Sequence, residues 1–201
     1  FGEILHGAWF FDTSAILYTN ALYALLMLFP IHYKETKLYQ KIAKWIFVVV
    51  NSVCIVANLV DCVYFQYTTR RTTVTVFSEF RNENNLGGIF GVEVLRHWYL
   101  VLIGILLMYA LFRLYRMPRG EQPEAIRRPY QPKPMLRYYV AHLLCLLVFV
   151  PLCVAGMRGG FTTAVRPITI SNANQYVDRP LEAAIVLNTP FSIIRTAGKP
   201  I

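Results

Sequence analysis

The sequence predicts an all-α membrane protein: four membrane-spanning helices in a bundle, followed by short juxtamembrane helices. Three observations carry this. Four long apolar runs fall within 201 residues. Tyrosine and tryptophan gather at the ends of these runs, and lysine and arginine gather in alternate loops. The composition agrees. It is 56% hydrophobic and 15% charged, against ~45–50% and ~25% in soluble domains. Mean hydropathy is +0.42. Intrinsic disorder needs low hydrophobicity and is excluded.

A spanning helix needs roughly 20 predominantly apolar residues. The first run, Ser14 to Phe29, stops at Pro30. It is short, so the apolar stretch Ala8–Phe11 is expected to add a turn. The second runs from Trp45 to Phe65, the third from Trp98 to Leu114, and the fourth from Tyr138 to Met157. Tyr39 and Trp45, Tyr64 and Tyr67, Trp98 and Tyr99, and Tyr138 and Tyr139 sit at the boundaries. Such rings favour the headgroup region, with one edge apolar and the other wet.

Charge sets the expected orientation. The loop between the first two runs carries Lys34, Lys37, Lys41 and Lys44. The loop between the last two carries Arg113, Arg116, Arg119, Arg127, Arg128, Lys133 and Arg137. These loops are therefore expected in the cytoplasm. The middle loop mixes Arg70, Arg71, Arg81 and Arg96 with Glu79, Glu83 and Glu93 and is expected outside, with both chain ends. The net charge of +9 is then a topology signal plus attraction to anionic lipid. No nucleic-acid module accompanies it.

Cys54, Cys62, Cys145 and Cys153 lie in the second and fourth runs with no CxxC spacing. They read as small apolar filler, with a Cys62–Cys153 disulfide left open. The four histidines are scattered and form no catalytic constellation.

The second run carries the unusual chemistry. Asn51, Cys54, Asn58 and Asp61 fall at i, i+3, i+7 and i+10. At about 100° per residue they share one narrow face. Polar groups in hydrocarbon are costly and should point into the bundle. They serve either as hydrogen-bonding glue between helices or as a lipid-headgroup or substrate pocket. Arg70 and Arg71 are the expected partners of Asp61. Asp12 is expected to cap the start of the first span. Pro151 should kink the fourth.

The middle loop opens with the β-branched stretch Tyr67–Phe77, which has no phosphate-loop spacing. Residues 1–157 form the expected transmembrane domain, and residues 158–201 an extracytoplasmic connector. In the connector, Asp178, Pro180 and Glu182 signal a helix start. Asn188-Thr-Pro-Phe191 breaks that helix, and Ile193-Ile194-Arg195 resumes one. These short helices are expected on the outer membrane surface. The chain opens without Met and stops at Gly198-Lys-Pro-Ile201, so a longer parent protein is expected.

Several segments resemble one family. Phe11-Asp12 precedes the first span. Val60-Asp61-Cys-Val-Tyr64-Phe65 runs into Thr69-Arg70-Arg71-Thr72. Gly159-Gly160, Arg166-Pro167-Ile168, Asn172-Ala173 and Leu187-Asn188-Thr-Pro-Phe-Ser192 follow in order. This series is similar to the membrane domain and connector of the bacterial lipoteichoic acid synthase family, in the alkaline phosphatase/sulfatase superfamily. The resemblance implies spans two to five of a five-span domain in the bacterial plasma membrane. It also implies a C-terminal catalytic domain on the outer face. That domain would move phosphoglycerol, or a related headgroup, from phospholipid to a glycan or polymer, using a threonine nucleophile and manganese or magnesium. All of that chemistry would lie past Ile201, with no catalytic or metal residue in this chain. Asp61, Arg70, Arg71, Asn58, Asn51 and Asp12 are the candidate headgroup or bundle-polar residues. Arg166, Asn188 and Arg195 are the candidate connector residues. A transporter or channel lined by the polar face, or a sensor or scaffold, remains the alternative.

Overall fold

The computed structural model describes residues 1–30, 36–81, 85–116, 132–159 and 168–197. No strand occurs among them. The elements are α1 (Gly2–Leu28), α2 (Lys37–Thr68), α3 (Thr75–Arg81), α4 (Leu86–Arg96), α5 (Trp98–Leu114) and α6 (Pro132–Arg158). Two 3₁₀ turns follow, Ile170–Tyr176 and Pro180–Glu182, then α7 (Ala183–Val186) and α8 (Thr189–Thr196).

The expected all-α membrane bundle is present. α1, α2 and α6 are each long and apolar enough to cross a membrane. α4 and α5 meet at 84°, and counted as one broken span they make a fourth. The long helices pack in the order α6, α1, α2, α5. Ser14 on α1 donates to the Met157 carbonyl of α6 at 3.1 Å. α6 continues through Pro151.

Helix length is the first departure from expectation. α1 has 27 residues and α2 has 32, about 40 and 48 Å at ~1.5 Å per residue, against a hydrocarbon core of ~30 Å. Both helices outrun the bilayer. α1 begins at Gly2, so Asp12 lies well inside the helix and does not cap it. Lys37, Lys41 and Lys44 belong to the first turns of α2, not to a loop. Thr36 caps that helix, accepting from the Tyr39 amide at 3.4 Å. The middle loop is largely helical too, forming α3 and α4.

The two ends of the bundle differ. At the lysine end, Tyr23, Phe47 and Tyr115 stack with centroids 5.0–6.1 Å apart. Lys44 is nearly buried and holds its ammonium 3.7 Å from the centre of the Phe112 ring, a cation–π contact. At the opposite end, residues 168–197 fold onto α1 and α2. Phe11, Ala15, Ile168, Ala173, Ala183, Val186, Leu187 and Phe191 form the buried core there. Phe11 meets Phe191 edge-on at 4.9 Å. The main hydrophobic core is thus made of connector and helix surplus. The connector's short helices are docked on the bundle, and Leu181 and Ile185 stay exposed on them.

Gly7 lets this happen. A Cβ there would come within 2.7 Å of the Tyr176 ring. Gly7→Val should lower stability by about 1–3 kcal/mol, the usual range for overpacking. The measurement is thermal unfolding of the detergent-solubilised protein. An unchanged midpoint would mean that the connector does not seat on α1.

Candidate functional site

The polar face of α2 meets a different partner at each level. Deepest is Asn51. Its amide nitrogen donates to Asn20 Oδ1 at 2.7 Å, and Asn20 Nδ2 donates back at 3.2 Å. This reciprocal pair ties α2 to α1. Asn20 was not singled out from the sequence, although an asparagine within an apolar span signals an interhelical partner. Asn58 comes next. It donates to the Cys54 carbonyl at 3.1 Å and accepts from the Thr189 amide at 3.2 Å, so it satisfies a free N–H at the start of α8.

Asp61 is fully buried. Arg71 Nη1 donates to Asp61 Oδ2 at 2.5 Å. The Thr72 amide donates to Oδ1 at 2.6 Å, and the Thr72 hydroxyl also reaches Oδ1. Arg71 Nε donates to the Ala184 carbonyl of α7 at 2.6 Å. One guanidinium therefore joins α2 to the connector. The chain reverses after α2 through Thr69, whose φ of 54° is left-handed. That region is strained for a β-branched residue, and the bonds to Asp61 hold it there. The role of Thr72 depends on this turn and is not legible from spacing.

Asp61 and Arg71 are thus brought together, and Arg70 is not. Arg70 is exposed, and its backbone bonds to the Thr68 hydroxyl. Asp12 finds a long-range partner instead of a cap: Asn188 Nδ2 donates to its Oδ1 at 2.7 Å. The same Asn188 caps α8, accepting from the Phe191 amide at 2.9 Å. At the far end of α8, Thr196 Oγ1 accepts from the Val74 amide at 3.1 Å. Arg195 lies over Tyr18 and Phe191, 5.4 and 5.7 Å from the ring centres. Its Nε and Nη2, and the hydroxyls of Thr189 and Ser192, are buried without a hydrogen-bond partner. Arg166 lies outside the described residues.

This arrangement is a clamp. The candidate headgroup residues Asp61, Asn58 and Asn51 are occupied by protein partners, and Asp61 has no solvent exposure. Among the described residues, no three His, Cys, Asp or Glu side chains come together as a metal-ligand set. All four cysteines are free thiols. Comparison with protein-family models, with curated proteins and with solved structures finds no match.

The clamp separates two neighbouring arginines. Arg71→Leu should destabilise the protein by about 3–5 kcal/mol, since it strands the fully buried Asp61 carboxylate, and Asp61→Ala by less, since the partly exposed Arg71 can turn to water. Arg70→Leu should stay within about 0.5 kcal/mol. Thermal unfolding in detergent reads both, and equal effects at positions 70 and 71 would overturn the assignment.

Proposed function

We propose that this chain is the membrane anchor and connector of a lipoteichoic acid synthase-like enzyme. It holds an extracytoplasmic catalytic domain at a set height and angle to the outer leaflet. Phosphoglycerol, or a related headgroup, is the group transferred, from phospholipid to a glycan or polymer. The catalytic domain supplies the reacting threonine and the divalent metal, manganese or magnesium. The bacterial plasma membrane is the setting, with the clamp end outside. The concentration of Lys37, Lys41, Lys44, Arg113, Arg116 and Arg137 at the other end supports that orientation.

The observation that carries this reading is the clamp. A chain that only tethers a domain needs no ordered connector. Here α7 and α8 are tied to α1 and α2 through Arg71–Ala184, Asn58–Thr189 and Asp12–Asn188. The transporter alternative draws less support, because Asn51, Asn58 and Asp61 are engaged with protein partners.

Two measurements test it. A spin label at exposed Ile185 should be immobilised in the wild type and mobile in Asp61→Ala. In liposomes, the intact protein should release glycerol phosphate from phosphatidylglycerol in the presence of manganese, several-fold more slowly with Asp61→Ala. Full activity with a mobile connector would sink the positioning role. No manganese-dependent release from the wild type would sink the enzymatic reading.

A further inference from the structure

α8 carries a second set of polar groups beside those of the clamp. Thr189, Ser192 and Arg195 stand at i, i+3 and i+6, on one side of the helix. Thr189 and Ser192 have no exposed surface where α8 packs on α1 and α2. Long helical side chains lean toward the N-terminus of their helix. Arg195 does so: its guanidinium carbon lies 5.7 Å from the centre of the Phe191 ring, one turn back. That lean carries its head toward Ser192.

None of the three is satisfied within the chain. The Thr189 and Ser192 hydroxyls, and Arg195 Nε and Nη2, are buried with no hydrogen-bond partner. Nε and Nη2 form one edge of the guanidinium, the fork that grips an oxyanion through two parallel N–H bonds. Among the described residues, no carboxylate stands within ion-pair distance of Arg195. Asp12 and Asp61, the carboxylates bonded into this end, are held by Asn188 and Arg71. The Tyr18 and Phe191 rings offer Arg195 a cation–π attraction but no negative charge.

Arg71 shows how this fold treats an arginine set against the connector. Its Nη1 has a carboxylate and its Nε a carbonyl. Arg195 Nε and Nη2 have neither. A buried cation without a counter-charge is strongly unfavourable, and each unpaired hydroxyl adds to that. Donors left over on one side of one helix call for a shared acceptor from outside the chain. Their number selects its chemistry. The fork uses both oxygens of a carboxylate. A phosphate group has oxygens left for the two hydroxyls.

We infer that Thr189, Ser192 and Arg195 form a binding site for a phosphate group, carried by a phospholipid headgroup or free in solution. Arg195 supplies the charge and the fork, and the hydroxyls complete the shell. Nε and Nη2 have no accessible surface as they stand, whereas Arg195 as a whole is partly exposed. Entry is therefore from the exposed side of Arg195, with a turn of that side chain off the Tyr18 and Phe191 rings. The headgroup residues expected from the sequence, Asp61, Asn58 and Asn51, are engaged by protein; this set has no partner in the chain. The site stands independently of the catalytic reading.

The test uses the whole chain, delipidated in neutral detergent, with two probes. Radiolabelled inorganic phosphate is followed by equilibrium dialysis. Short-chain phosphatidylglycerol is followed by native mass spectrometry, against diacylglycerol with the same chains. One equivalent of a phosphate-bearing probe should bind. Uptake of inorganic phosphate assigns the site to free phosphate. Uptake of phosphatidylglycerol, without inorganic phosphate or diacylglycerol, assigns it to a lipid headgroup. Arg195→Lys keeps the charge and loses the fork, and should weaken binding roughly tenfold or more. Ser192→Ala should weaken it in the same direction, and Lys41→Gln, at the opposite end of α2, should leave it unchanged. A spin label at Ile185 that stays immobilised shows that the connector is still seated in each variant. Binding of neither probe to the wild type, or equal binding to the wild type and both site variants, would overturn the site.

Discussion

A carboxylate with no solvent exposure is the constraint on which the clamp end of this molecule depends. Burying Asp61 without partners costs several kcal/mol, so the chain must bring it a cation and hydrogen-bond donors. It does so with residues only 10 and 11 positions further on, Arg71 and Thr72. That return requires the backbone to reverse at Thr69 in the left-handed region. The strain there is tolerated because Asp61 holds both sides of the turn. Once Arg71 is fixed, its Nε donates to the Ala184 carbonyl. The end of α2, the turn and the connector then become one unit.

Length mismatch explains why this unit sits where it does. A helix surplus beyond the hydrocarbon must be covered or hydrated. Here the surplus of α1 becomes a scaffold for residues 168–197, which reach α2 through Asn58 and Arg71. Phe11 and Phe191 are both fully buried there, in edge-to-face contact, a geometry worth ~0.5–1.5 kcal/mol beyond area burial. At the lysine end the helices close through rings and Lys44. Between these fixed ends, α2 and α5 approach at Leu59 and Gly104 and leave an apolar groove beside that contact. The groove is the space left over.

The two faces of α2 therefore do different work. One is polar and matched residue by residue to α1, α8 and the returning loop. The other is apolar and faces a groove. Such a helix can hold the connector through one face while its other face packs toward α5.

Much of this architecture was legible in the chain. Apolar runs mark the spans because hydrocarbon demands satisfied backbones and apolar surfaces. The spacing of Asn51, Asn58 and Asp61 marks one face because the helix period is fixed. Asn188-Thr-Pro-Phe191 reads as a break between helices, yet Asn188 is an N-cap and the helix already begins at Thr189, running through Pro190 and Phe191. Arg71 was named as a partner of Asp61, but local sequence could not separate it from Arg70. Only the left-handed turn at Thr69 decides which of the two faces inward. Tertiary structure alone also decided that Asp12 meets Asn188, that Phe11 meets Phe191, and that α1 begins ten residues before Asp12. Each of these depends on contacts across 170 or more positions, or on surplus helix finding a surface to cover it. The sequence determines what must be buried and what must be paired; the packed chain determines with whom.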